Sequence, residues 1–308
     1  MKLRVIVNPM AGSGRAGRRV GEISRALDAA DLAHDVVRTE GPGDAARLVG
    51  AAREDGVECV ALVGGDGTVN EACQAYIDPA GEALPGPDLA LIPAGTGGDF
   101  RKTFDLPDDL EAAVRRLADS QPRPIDLGLL SVTADDGGRL HRAFINITSF
   151  GIGGLTDRIV NDSPKWMGGR AAFFVGTLRA MAIYKNTVVK VTVDGNPWLE
   201  GPIFNVAIAN GRYFGGGMNV APDADPADGR FDVVALGDLS RLGAMTLSRK
   251  IYTGEHVTAP GVRITRGARV EATPVRASDV VLIDMDGETP GRLPLTDRVA
   301  AGAVRIRA

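Results

Sequence analysis

The nine residues VGGDGTVNE (63–71) end an apolar run with glycines and set the carboxylate of Asp66 among them. Glycine removes side-chain bulk, so the backbone there can approach a ligand closely. A carboxylate in the same place repels an anion unless a cation lies between them. Polyphosphate chemistry supplies that cation, because Mg²⁺ takes carboxylate and phosphate oxygens together. The device recurs at PAGTGGDF (93–100), where glycines, the Thr96 hydroxyl and Asp99 follow an apolar run. A third acid, Asp126, follows Pro124 and Ile125. Loops that follow successive strands of an α/β sheet can meet in one crevice, which makes Asp66, Asp99 and Asp126 candidate ligands of a divalent ion. The plainer alternatives are an acid that solvates a turn, and helix caps at Thr68 or Asn70.

An earlier loop, GSGRAG (12–17), matches the dinucleotide fingerprint G-x-G-x-x-G, with Glu40 further along the chain. Residues 8–11 separate it from the preceding strand, whereas the dinucleotide turn follows its strand directly. It also falls short of a P-loop, because Arg18 and Arg19 stand where Lys and Ser/Thr are needed. A glycine-rich turn between strand and helix is the bland reading. Arg15, Arg18 and Arg19 either offset phosphate charge or are solvated arginines of a first helical turn.

These loops need a scaffold. Residues 1 to about 126 alternate strand-like runs (3–7, 33–39, 57–63, 89–93) with helical spacing (17–31, 45–54, from about 69, and 108–119). The rhythm predicts an α/β domain, a doubly wound parallel sheet with helices on both faces. Beyond 125–127 it changes to short β-rich runs at 143–148, 188–193, 203–209, 230–236, 262–265, 270–272 and 280–284. Helical segments interrupt near 164–184 and 240–253, and Asp194-Gly195-Asn196-Pro197 reads as a turn. The expectation is an antiparallel, β-sandwich-like second domain with added helices. The domains are drawn at 1–126 and 127–308, with residues from about 291 to 308 expected to pack back onto the first.

A chain of 308 residues is long for one core, which favours two domains. The formal net charge of -4 argues against a nucleic-acid partner. Cys59 and Cys73 sit in apolar surroundings without metal spacing and read as small core residues, which suits a reducing cytoplasm. No signal-peptide anatomy and no apolar run long enough to span a bilayer is present. A membrane substrate would be met at the surface.

Taken in order, NPMAG (8–12), GGDGT (64–68), PAGTGGDF (93–100), PIDLG (124–128) and DGE (286–288) resemble the diacylglycerol kinase catalytic-domain family, which includes bacterial diacylglycerol kinases, YegS-like lipid kinases and sphingosine kinases. GGDGT alone is shared with NAD kinases and phosphofructokinases; the ordered set is more selective and spans nearly the whole chain. The resemblance implies ATP- and Mg²⁺-dependent phosphorylation of a lipid hydroxyl. It implies that Asn8, Pro9, Met10, Ala11 and Gly12 line the adenine and phosphate side of the ATP site. Thr39 matches a further nucleotide loop. Gly65, Asp66, Gly67, Thr68, Val69, Asn70 and Glu71 would wrap the phosphates, with Thr96 adding a hydroxyl. Asp66, Asp99 and Asp126 would hold catalytic Mg²⁺ through water, and Glu288 would be the general base. A structural Mg²⁺ is implied in the loop 221–230, on the Asp228 carboxylate and the backbone oxygens of Asp225 and Arg230. Gly98 departs from the family pattern, since many members carry Asn there.

The lipid side is expected in the β domain. Trp166, Met167, Phe173, Phe174, Val175, Met181, Ile183 and Tyr184 give one helix more apolar surface than a single buried stripe needs. The loop 213–218 is apolar and glycine-rich. The expected partner is a lipid presented at a membrane surface, with the protein cytoplasmic and peripheral to the inner face; a homodimer is left open. Two other functions compete. One is an NAD kinase-like enzyme of the same GGDGT superfamily, disfavoured because its downstream Asn-Gly-Gly is missing. The other is a non-catalytic nucleotide- or lipid-binding regulator.

Overall fold

The computed structural model describes residues 1–94, 98–162 and 169–308, without the side chains of 169–174. Two compact units divide the chain. The first comprises 1–127, 227–229 and 300–308; the second comprises 128–226 and 230–299.

In the first unit, β1 (Leu3–Val7), β2 (His34–Arg38), β3 (Cys59–Gly64) and β4 (Asp88–Pro93) form a parallel sheet in the order β4-β3-β1-β2. The end of the chain adds to its edge, with Ile306 pairing Leu89 in parallel. Every residue of β3 is buried, as expected of a central parallel strand covered on both faces. One face takes Leu3, Val5, Val7, Ala61, Val63 and Ile92 against α1 (Ala11–Arg18), α2 (Val20–Ala29) and the later helix residues Leu110, Val114 and Leu117. On the other lie α3 (Asp44–Glu54) and α4 (Asp66–Cys73), which bury Leu48, Val49, Val69 and Ala72. Two further helices, α5 (Asp99–Thr103) and α6 (Leu110–Asp119), follow β4. The Asp109 carboxylate caps α6 at Ala112 N–H, 2.9 Å. Cys59 and Cys73 are buried thiols; Cys73 Sγ donates to Asn70 O at 3.0 Å, and burial pushes the Cys59 thiol up to about 12.

The second unit is an antiparallel sandwich. Its strands are β5 (Arg123–Thr133, entering from the first unit), β6 (Arg139–Phe144), β7 (Ile147–Gly151), β8 (Thr187–Val193), β9 (Asn196–Ile203), β10 (Asn205–Ala209), β11 (Tyr213–Phe214), β12 (Met218–Asn219), β13 (Phe231–Leu236), β14 (Val262–Gly267), β15 (Arg269–Pro274), β16 (Leu282–Met285) and β17 (Glu288–Ile306). One run is ordered β14-β13-β10-β7-β16-β17. Pairs β5–β6, β5–β17, β8–β9, β8–β15 and β15–β17 add to it. In β8, Val189, Val191 and Val193 point to the core while Val188 and Lys190 do not, a period of two. β10 is buried throughout: Val206 and Ile208 join the main core, and Ala207 and Ala209 meet Val220, Ala221 and Ala224 on the reverse. Among the described residues the sandwich is flanked by α7 (Ile152–Asn161), α8 (Gly169–Ile183) and α9 (Arg241–Thr253).

Some boundaries differ from the sequence expectation. The spacing at 17–31 suggests one helix, but two occur, and the first begins at Ala11 with a left-handed turn. α4 begins at Asp66, three residues earlier than expected, and neither Thr68 nor Asn70 caps it. The run 203–209 is two strands, as is 143–148. β17 is much longer than any strand expected, because two prolines, two glycines and three alanines interrupt the alternation that would have announced it.

Candidate active site

The register of the first sheet brings loop ends level. Val7 lies beside Val63, and Gly64 beside Pro93, so Asn8, Gly65 and Ala94 leave the sheet at one edge. This is the carboxyl edge at which open α/β sheets bind ligands. Hydrogen bonds join the loops. Asn8 N–H donates to Val63 O (3.1 Å), Ala94 N–H to Gly64 O (3.2 Å) and Thr39 N–H to Val7 O (2.9 Å). The Asn8 amide donates to Thr68 Oγ1 (3.1 Å) and its oxygen accepts Met10 N–H (3.1 Å). Gly12, Ser13 and Gly14 form three successive left-handed residues, with φ 60, 58 and 82. A Cβ on Gly12 would lie 2.1 Å from Ala94 O, so only glycine lets the first loop rest against the loop after β4. Gly64 is required in the same way, because a Cβ would lie 2.3 Å from Thr68 Oγ1.

Gly67 is different. It is exposed in the first turn of α4, and a Cβ there would meet nothing within 4 Å. A helical glycine costs about 1 kcal/mol relative to alanine, and no contact within the protein explains it. Close approach of a ligand does. Gly67→Ala should therefore stabilise the fold by up to about 1 kcal/mol, read by urea unfolding, while weakening nucleotide binding in calorimetry. Unchanged affinity would remove the phosphate-contact role.

The acids divide. Asp66 accepts the N–H groups of Asp99 (3.0 Å) and Phe100 (3.2 Å), so it caps α5 from the neighbouring loop. The Asp99 carboxylate accepts from Lys102 Nζ at 2.9 Å. Asp66 and Asp99 are thus neighbours. Burial pushes the Asp66 carboxyl above its ordinary range; the Asp99 N–H pulls it down, and the Asp99 charge pushes it up again. Asp126 is tied elsewhere. Fully buried, it accepts Gly229 N–H (2.7 Å) on one oxygen and Gly302 N–H (2.8 Å) on the other. Among the described residues no three His, Cys, Asp or Glu side chains are grouped so as to hold an ion. Oxygen donors at Asp66 and Asp99 nonetheless suit a hard cation reached through water.

Other sequence candidates are placed as follows. Glu71 accepts Ala45 N–H at 3.0 Å, bracing the start of α3. Asn70 is buried, and Met10 is exposed. Arg19 forms a double hydrogen bond to Glu22 (2.8 and 2.9 Å), whereas Arg15 Nε donates to Gly12 O at 3.3 Å. Asp225, Asp228 and Arg230 are exposed in an irregular loop before β13. Thr96, with Gly95 and Gly97, lies outside the described residues, as do Lys165, Trp166 and Met167 and the side chains of Arg170, Phe173 and Phe174.

The second unit carries its own acidic group. Asp286 and Gly287, with φ 50 and 89, make the two-residue turn between β16 and β17. Asp286 accepts Ile145 N–H (3.1 Å) and Ile147 N–H (2.7 Å), which holds the bend between β6 and β7. Its motif neighbour Glu288 is exposed as the first residue of β17. Behind it, buried Asp284 accepts Gly287 N–H (2.9 Å) and Ser149 Oγ–H (3.0 Å). Asp157 hydrogen-bonds the same carboxylate. Helix α7 reaches that position on two glycines: a Cβ on Gly154 would lie 2.4 Å from the Leu282 backbone, and one on Gly153 would lie 2.6 Å from Ser149 Oγ. Asp157, one turn on, shares their face. Sequence reasoning missed Asp157 and Asp284. Gly153-Gly154 followed by an acid one turn later was the available signal.

Burial, then the charge of Asp284 and of Glu288, pushes the Asp157 carboxyl well above its usual range. A raised folded-state pKa contributes stability that is full below the unfolded pKa near 3.9 and is lost as pH rises through the folded one. Asn donates the same hydrogen bond without ionising. Asp157→Asn should therefore raise Tm at pH 8, by about 2–4 °C for each 1 kcal/mol, and change it little at pH 4. An equal shift at both pH values would contradict a neutral Asp157.

Two family models together match most of the chain: the diacylglycerol kinase catalytic domain at residues 2–130, and the YegS C-terminal NAD kinase beta sandwich-like domain at 146–308. A "Diacylglycerol kinase" of Mycobacterium tuberculosis is 31% identical over 279 residues, covering 87% of this chain and 84% of that protein. A "Probable lipid kinase YegS-like" of Xanthomonas euvesicatoria pv. vesicatoria is 31% identical, covering 82% and 80%. A solved structure from Bacillus anthracis superposes with a TM-score of 0.78 over 99% of this chain and 94% of that one; at 23% identity it supports the fold alone. No described helix is long and apolar enough to cross a membrane.

Proposed function

Because the chain belongs to the family of diacylglycerol kinases and YegS-like lipid kinases, we propose that it transfers the γ-phosphate of ATP to a lipid hydroxyl, with Mg²⁺. The observation that carries the reading is the Asp66–Asp99 pair at the carboxyl edge of the first sheet, beside the bare backbone of 12–14 and 65–67.

Phosphoryl transfer asks a protein for placement, charge neutralisation and a destination for one proton. The left-handed turn at 12–14 and the first turn of α4 present backbone N–H groups to the phosphates, and Asn8 locks these two loops together through Thr68. Met10, exposed beside that turn, covers the base. Asp66 and Asp99 would hold Mg²⁺ through water, which would supply charge neutralisation for the transferred group. Asp126 fixes the backbone at Gly229 and Gly302. Asp228, with the backbone oxygens of Asp225 and Arg230, would hold a structural ion. Glu288 takes the hydroxyl proton as general base, and the sandwich supplies the lipid pocket. The enzyme works in the cytoplasm at the inner face of the membrane.

Incubation with ATP, Mg²⁺ and a lipid panel, read by mass spectrometry with and without EDTA, tests this. A phosphorylated lipid, lost with EDTA and in Asp66→Asn, supports it. Phosphorylation of NAD instead, or ATP binding without turnover, overturns it.

A further inference from the structure

Helix α9 has two apolar faces. Ala244, Leu247 and Ile251 are buried, the last two against Leu236. Leu242, Met245, Arg249 and Tyr252, spaced three, seven and ten residues apart, share the opposite face. Leu242 is 77% exposed, Met245 60% and Tyr252 53%. The Arg241 guanidinium donates to Ala182 O, so the start of α9 adjoins the end of α8, where Leu178 and Ile183 are also exposed. Isolated exposed apolar residues need no explanation, but a continuous group on adjoining helices does.

The charges say what covers it. Segments 169–185 and 241–253 carry Arg170, Arg179, Lys185, Arg241, Arg249 and Lys250 and no acid at all, in a chain with 39 Asp and Glu and a net charge of -4. Asp238, which holds Asn186, and Glu255 lie just beyond the ends of α9. Cations beside an exposed apolar stripe suit an anionic bilayer, which takes apolar side chains below its headgroups and basic ones among them. A second copy suits them poorly, because a two-fold contact would set Arg249 and Lys250 against themselves.

We propose that the exposed face of α9, with the end of α8, is a docking surface for anionic lipid bilayers. The proposal rests on the lipid-kinase reading for its use, because a soluble enzyme must reach a substrate held in a membrane. Its test needs no turnover. The full chain is sedimented with vesicles of phosphatidylglycerol and phosphatidylcholine, and with phosphatidylcholine alone, at low and high salt. Binding is expected to the anionic vesicles only and to weaken with salt. The double variant L242S/M245S, and separately R249A/K250A, should each weaken it about tenfold or more. Both should keep the wild-type melting temperature and activity on a short-chain lipid in detergent micelles. Equal vesicle binding by wild type and variants overturns the proposal. So does light scattering that shows the variants as monomers and the wild type as a dimer, which would make this face a protein interface. Vesicle binding without lipid phosphorylation would sink the lipid-kinase reading and leave the docking surface standing.

Discussion

Asp66→Asn should lower lipid phosphorylation by about 10³-fold while leaving the first unit folded. One carboxylate does two jobs here. As a cap, Asp66 accepts two N–H groups from the start of α5. Asparagine keeps one acceptor oxygen, so the structural cost is about 1 kcal/mol, visible as a small loss in Tm. As a charge, Asp66 is, in the proposed reaction, the ionised partner of Mg²⁺, and asparagine removes that charge. Buried charges without a counter-ion are costly, which is why burial alone raises its pKa. In the free enzyme the acid limb of kcat/KM should therefore lie above the ordinary Asp range, since protonation to the neutral form removes activity. Asp66→Ala should lose both jobs and more stability. A rate within tenfold of wild type in Asp66→Asn would contradict the metal role.

Glu288→Gln should lower kcat by about 10²- to 10⁴-fold, the usual worth of a positioned general base, with the KM for ATP unchanged. Its exposure at the start of β17 means that the substitution costs little stability. A second readout is independent of turnover. The Glu288 charge helps to hold the Asp157 proton, so Glu288→Gln should let Asp157 ionise at lower pH. If kcat survived while that titration moved, Glu288 would be a neighbour of the buried acids and no base. If neither moved, its interaction with them would be absent as well.

The residue pattern by itself determined a good deal. Glycines and acids at strand ends marked the loops where a polyphosphate is expected, because close backbone approach and cation bridging depend on residue type alone. The change from strand–helix alternation to short β runs gave the two kinds of unit, since periods of 3.6 and 2 are local properties. Turn chemistry was legible for the same reason: Asp194-Gly195 and Asp286-Gly287 both adopt the positive φ that such pairs favour.

What only the tertiary structure decided concerns partners distant in the chain. Asp66, Asp99 and Asp126 look alike in sequence, yet two are neighbours while the third holds Gly229 and Gly302, 103 and 176 residues away. Glu71, expected at the phosphates, also takes the Ala45 N–H at the start of α3. The Asp157–Asp284 pair depends on two glycines that bring α7 against β16, a distance no periodicity encodes. The second apolar face of α9 was hidden too, because composition cannot say which of two apolar stripes the core will take. A side chain's type sets what it can do, but its function depends on which hydrogen bonds and contacts folding has already claimed.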